Sequence, residues 1–158
     1  MSKIKLGFKK LDPRAQLPKY AHEGDAGMDV FALEEAHLTK GIPALIKTGI
    51  SCEIPEGYEI QVRPRSGLAL KGVTVWNSPG TIDSKYRGEI GVILMYLNNE
   101  CVRLHDGSGT IPKNYYIVKA GDKIAQLVLA PVTFADPVEV KELSETERGT
   151  GGFGSTGR

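Results

Sequence analysis

The segment NSPGTIDSKYRGE, residues 77–89, sets a carboxylate (Asp83) and a phenol (Tyr86) three positions apart around a Ser84–Lys85 turn signal. Read as a hairpin closed at that turn, it brings Asp83 and Tyr86 close together. A carboxylate so placed polarises a water as general base, and the Tyr86 ring packs on a sugar. Main-chain N–H and C=O groups of an opened hairpin read the edge of a base, and Asn77, Gly80 and Ile82 belong to this stretch. An ordinary surface hairpin explains the residue types but not why so many special ones cluster.

Four further segments bring small residues and charges to where an anion could approach. In RPRSGLALKG (63–72), Arg65 and Ser66 open the one expected helical turn, 66–71, with Ser66 as cap and Gly72 as stop. Free N–H groups there, beside a guanidinium and a hydroxyl, suit phosphate. In AGMDVFA (26–32), Asp29 interrupts an apolar strand, where a carboxylate is costly unless paired or near a metal. It reads either as a structural salt bridge or as an acceptor for the waters of Mg²⁺. In AGDKIAQLVL (120–129), Gln126 interrupts an apolar run and must find partners, a phosphate oxygen among the candidates. RGTGGFGSTG (148–157) is rich in glycine and hydroxyls, lacks the Gly-Lys-Ser/Thr of a P-loop, and joins Arg148 to a lone aromatic, Phe153. That pairing suits a lid, with Phe153 stacking on a base and Arg148 meeting phosphate charge.

The elements that must hold these groups are short. Runs rich in β-branched and aromatic residues predict strands at 4–8, 28–32, 44–54, 58–63, 89–97, 101–104, 115–118, 123–132 and 138–140, separated by Gly- and Pro-marked turns. Many short strands and 19 glycines in 158 residues predict one all-β domain, a distorted jelly roll or barrel with at most one short helical segment. From about Leu143 the composition cannot bury enough surface to order itself, so residues 1–142 are expected as the core and 143–158 as a flexible arm. Net charge is +1, which supplies no field for nucleic acid or an anionic membrane; neither is expected as a partner. Cys52 and Cys101 are expected as buried free thiols, and the scattered His22, His37 and His105 make no zinc site. No signal-peptide core or run of ~18 apolar residues occurs, so a cytoplasmic protein is expected.

Taken in order, AGMDVFA, PRSGLALKG, NSPGTIDSKYRGE, GDKIAQL and RGTGGFGSTG resemble the five motifs of the trimeric dUTPase family, over almost the whole chain. The resemblance implies a jelly roll whose three copies share three active sites. It implies Mg²⁺-dependent hydrolysis of dUTP to dUMP and pyrophosphate by water attack at the α-phosphorus, limiting uracil in DNA and supplying dUMP for dTMP synthesis. By the same resemblance Arg65, Ser66, Gly67 and Gln126 hold phosphates, and Asp29 supports the Mg²⁺ shell through waters. Asp83 orients the attacking water and meets the 3′-hydroxyl. Tyr86 packs on deoxyribose and excludes a 2′-hydroxyl. Asn77 and the backbone from Gly80 through Ile82 to Ile90 read uracil, while Arg148, Phe153, Gly154, Ser155 and Thr156 close over the nucleotide. A dCTP deaminase of the same fold, and a binding module without turnover, are the competing readings. The stretch between Leu97 and Ala120 is longer than a simple connection and reads as a surface hairpin; only its length speaks for a regulatory partner.

Overall fold

Short β-branched runs punctuated by glycine fold into thirteen strands and one helical turn in the computed structural model, which describes residues 4–98, 101–103 and 110–152. Those strands are β1 (Gly7–Lys10), β2 (Met28–Phe31), β3 (Ala36–Thr39), β4 (Ala44–Lys47), β5 (Ile50–Glu53) and β6 (Tyr58–Arg63). After the turn α1 (Ser66–Ala69) come β7 (Val73–Val75), β8 (Gly80–Ile82), β9 (Gly91–Tyr96), β10 (Cys101–Arg103), β11 (Thr110–Pro112), β12 (Tyr115–Val118) and β13 (Lys123–Pro131). All ladders between them are antiparallel. The largest sheet runs β2-β13-β6-β8 and a second runs β4-β9-β7; β1 pairs with β5, β3 with β12, and β10 with β11.

The core lies between these layers. Val30, Ile60 and Leu127 from the four-stranded sheet meet Val92, Leu94 and Tyr96 from the three-stranded one, all fully buried. Burying each such side chain contributes roughly 1.5–3 kcal/mol, and this burial is the main reason the short strands persist. The all-β expectation holds, with a single helical turn.

Several expected elements shift. The strand expected over 44–54 is two, β4 and β5, because Gly49 takes φ +68° and turns the chain between them. The first strand begins at Gly7 instead of residue 4, and the one expected from 89 begins at Gly91. The cap of α1 is Arg65, in extended conformation and with no side-chain bond, so Ser66 is the first helical residue and not the cap. Gly72, at φ +76°, does end the turn. Residues 138–140 form no strand, and Val138 and Val140 stand exposed with no strand beside them among the described residues. β3, β7, β8 and β11 are additional. Cys52 is a buried free thiol, as expected, and burial raises its pKa; the Cys101 side chain lies outside the described residues.

Candidate active site

The hairpin expected over residues 77–89 takes a different form. β8 pairs with β6 and β9 pairs with β4 and β7, so residues 83–90 cross from one sheet to the other instead of closing a ladder. A tight turn survives: the Tyr86 N–H donates to the Asp83 carbonyl at 3.0 Å, which brings the two residues together as expected. Asp83 and Tyr86 line one cleft of about 170 Å³ with Thr81, Ile82, Glu89 and Gly91. The Tyr86 hydroxyl donates to the Glu89 carbonyl at 2.9 Å. Asn77 and Ser78 are exposed just before β8, the Ser78–Pro79 peptide is cis, and the Asn77 amide lies over Gly80.

A second cluster forms at the other end of the four-stranded sheet. Asp29 is only 2% exposed, yet both of its oxygens are paired. Arg65 Nε donates to Oδ1 at 3.0 Å and Lys123 Nζ to Oδ2 at 2.8 Å; Arg65 also donates from Nη1 to the Lys123 carbonyl. Burial would raise the Asp29 carboxyl, but the Lys123 bond, the two positive charges and the Gln126 amide outweigh it and hold it below its ordinary value. Gln126 packs close against Gly27, where a Cβ would approach its side chain to 3.1 Å.

Lys123 is the partner of Asp29 that the sequence does not reveal. Residues 123 and 126 of a regular strand face opposite sides, since side chains alternate. A register shift between Lys123 and Ala125 breaks that alternation and lets both side chains reach Asp29. Arg65 and Lys123 also border a polar cleft of about 330 Å³ with Lys71 and Asp122. Ser66 and Gly67 are exposed at the start of α1 beside it.

One chain keeps these two clusters apart. Asp29 is level with Gln126 in β13; Ile82 is level with Leu129 through Ile60, which leaves Asp83 level with Ala130. Three strand spacings and four residue steps separate Asp29 from Asp83, on the order of 20 Å. Arg148 joins neither cluster; its Nε donates to the Gly151 carbonyl at 2.9 Å. Phe153, Gly154, Ser155 and Thr156 lie outside the described residues. Among the described residues no three His, Cys, Asp or Glu side chains converge to hold a metal.

Fold and site define a class: an all-β protein with a buried carboxylate clamped by cations beside an open basic cleft, and an Asp–Tyr turn on a second cleft. The dUTPase family model matches residues 13–109 and 112–157, and the chain belongs to the dUTPase family. It is 54% identical over 149 residues to the deoxyuridine 5′-triphosphate nucleotidohydrolase of Picosynechococcus, covering 94% of this chain and 95% of that one. It is 52% identical to the protein of the same name from Clostridium tetani, with both chains covered completely. Among solved structures, a mutant dUTPase of Staphylococcus bacteriophage 80alpha with dUpNHpp superimposes with a TM-score of 0.84 at 30% identity, over 99% of this chain and 100% of that one. A dUTPase mutant from phage phi11 of S. aureus, described with a structural Mg(II) ion, matches with a TM-score of 0.73 at 28% identity, over 90% of this chain and all of that one.

Proposed function

We infer that this chain hydrolyses dUTP to dUMP and pyrophosphate, water attacking the α-phosphorus. The observation that carries the reading is the cleft shared by Asp83 and Tyr86, in a chain alike end to end to a deoxyuridine 5′-triphosphate nucleotidohydrolase. Asp83 accepts a proton from the attacking water and meets the 3′-hydroxyl. The Tyr86 ring lies against deoxyribose, and Asn77 with the backbone of Gly80 and Ile82 reads uracil. Arg65, Ser66, Gly67 and Gln126 hold the phosphates, where positive charge and N–H groups offset charge building on the leaving pyrophosphate.

The separation of Asp29 from Asp83 supports sites shared between copies. A nucleotide held at its base by one chain's Asp83 turn is too short to reach that same chain's Arg65 cluster, so a neighbour supplies it in a homotrimer. The arm, residues 143–158, closes over the nucleotide, with Arg148 on phosphate and Phe153, Gly154, Ser155 and Thr156 completing the cover.

The donor set fits a Mg²⁺ that arrives with the triphosphate. Both Asp29 oxygens are already engaged by cations, so Asp29 would meet the ion only through its waters. When bound, Mg²⁺ supplies charge neutralisation and a fixed triphosphate geometry. The chain's own residues orient the water, the sugar and the phosphates around it. The chain acts in the cytoplasm in this reading; among the described residues no helix is long and apolar enough to cross a membrane.

Pyrophosphate release from dUTP, dTTP, dCTP and UTP, with Mg²⁺ and then EDTA, tests the reading. Release from dUTP alone, lost on chelation, is the expected result. Ammonia from dCTP without pyrophosphate would move the chain to deaminase chemistry.

A further inference from the structure

Tyr86 is 47% exposed, and an exposed ring is free to rotate among rotamers unless something stops it. Two features stop it. Its hydroxyl donates to the Glu89 carbonyl at 2.9 Å, which ties the far end of the ring to the backbone. The ring also crosses directly over Gly88: a Cβ there would stand 2.5 Å from Cζ and 2.9 Å from Cε2. No side chain other than hydrogen leaves room for this pose.

The receiving carbonyl is itself anchored. The Glu89 carboxylate accepts the Gly49 N–H at 2.8 Å, across the corner between β4 and β5. Next along the chain, the Ile90 N–H donates to the Ile50 carbonyl at 2.8 Å and the Ile90 carbonyl accepts the Thr48 hydroxyl at 2.5 Å. The segment under the ring is thus fastened at Glu89 and Ile90 to residues 48–50, where β4 turns into β5. Within residues 83–90, the Tyr86 ring is tethered at its hydroxyl and backed by Gly88 despite its exposure.

The geometry points to Gly88 and Glu89 as positioning residues that set sugar specificity: they fix one pose of the Tyr86 ring, and that pose separates deoxyribonucleotides from ribonucleotides. This rests on the reading of Tyr86 as the surface against the sugar. A ring free to tilt away would admit a 2′-hydroxyl; a ring pinned by Gly88 and the Glu89 carbonyl would not. Selectivity by exclusion needs a wall that does not yield, because a yielding pocket rejects one added hydroxyl only weakly.

Gly88→Ala is a clean test, since Gly88 has no positive φ and the obstacle is the movable end of a side chain. The added methyl displaces the ring at little cost to the fold. The ratio of kcat/KM for dUTP over UTP should fall about tenfold or more, with the thermal midpoint unchanged. Tyr86→Phe keeps the ring, removes the hydroxyl donor and adds no volume; it should lower the ratio in the same direction, and it carries the test if the alanine variant fails to fold. Tyr86→Ala separates the two ideas. If it lowers the ratio while Gly88→Ala and Tyr86→Phe leave it intact, the anchoring is overturned and Tyr86 keeps its place. If Tyr86→Ala leaves the ratio intact, Tyr86 is not the sugar surface and both ideas fall.

Discussion

Asp29 is a buried carboxylate with two cations on it, and each cation has a different consequence. Arg65 binds Oδ1 and also the Lys123 carbonyl, so it ties two strands together; Lys123 binds Oδ2 alone. A carboxyl whose folded pKa is depressed adds stability that is fully present above its unfolded value, near 4, and is lost as pH falls through the folded value. Replacing Lys123 by Met removes the bond that offsets burial, so the folded pKa rises and acid destabilisation should begin at higher pH. At neutral pH the same change should cost about 1–2 kcal/mol, less than a fully buried pair because the Lys123 side chain is partly exposed. Lys123→Arg should restore most of both. Urea midpoints between pH 3 and 7 are the measurement; matching profiles for wild type and the Met variant would remove Lys123 from this role. Asp29 was legible as an anomaly in an apolar strand, and the structure pairs it with Arg65 and Lys123. Lys123 was not legible, because a lysine after Gly-Asp at a strand start reads as solvated, and only the bulge turns it toward Asp29.

Strands were legible where an apolar or alternating pattern extends over six or more positions, as in β6, β9 and β13. They were not legible at VTV, GTI and AHLT, which are too short to show alternation and are strands only because a longer neighbour pairs with them. The opposite error occurred at 138–140, where alternating valines suggested a strand that finds no partner among the described residues. The division of 44–54 at Gly49 shows what local propensity cannot weigh. At φ +68°, a Cβ on Gly49 would stand 2.9 Å from both Ala15 Cβ and Leu33 Cδ1. Gly49→Ala should therefore cost about 1–3 kcal/mol, read as a lower urea midpoint at unchanged m-value. A midpoint equal to wild type would mean that the corner relaxes freely.

At the scale of the molecule, the distance between the Asp83 turn and the Arg65 cluster makes a prediction that neither cluster makes alone. Asp83→Asn and Arg65→Ala chains, each inactive as a pure assembly, should recover roughly a quarter of wild-type activity when unfolded together and refolded as an equal mixture, because random assembly joins a sound turn to a sound cluster in that fraction of sites. No recovery would mean that each chain serves its own site. This separation could not be read from the sequence, where the two motifs are neighbours; it follows from the strand order. That same order governs how the chain reaches its native state. β2 finds its partner in β13, and β3 in β12, so strands formed early must wait for strands formed late. Contacts between residues so distant along the chain give a high contact order, and such topologies fold in milliseconds to seconds, more slowly than helical bundles. During synthesis the buried side chains of β2 have no cover until β13 arrives, which exposes the growing chain to aggregation and to chaperones. The strand that covers β2 also brings Lys123 and Gln126 to Asp29, so the cluster around this carboxylate cannot assemble before β13 arrives.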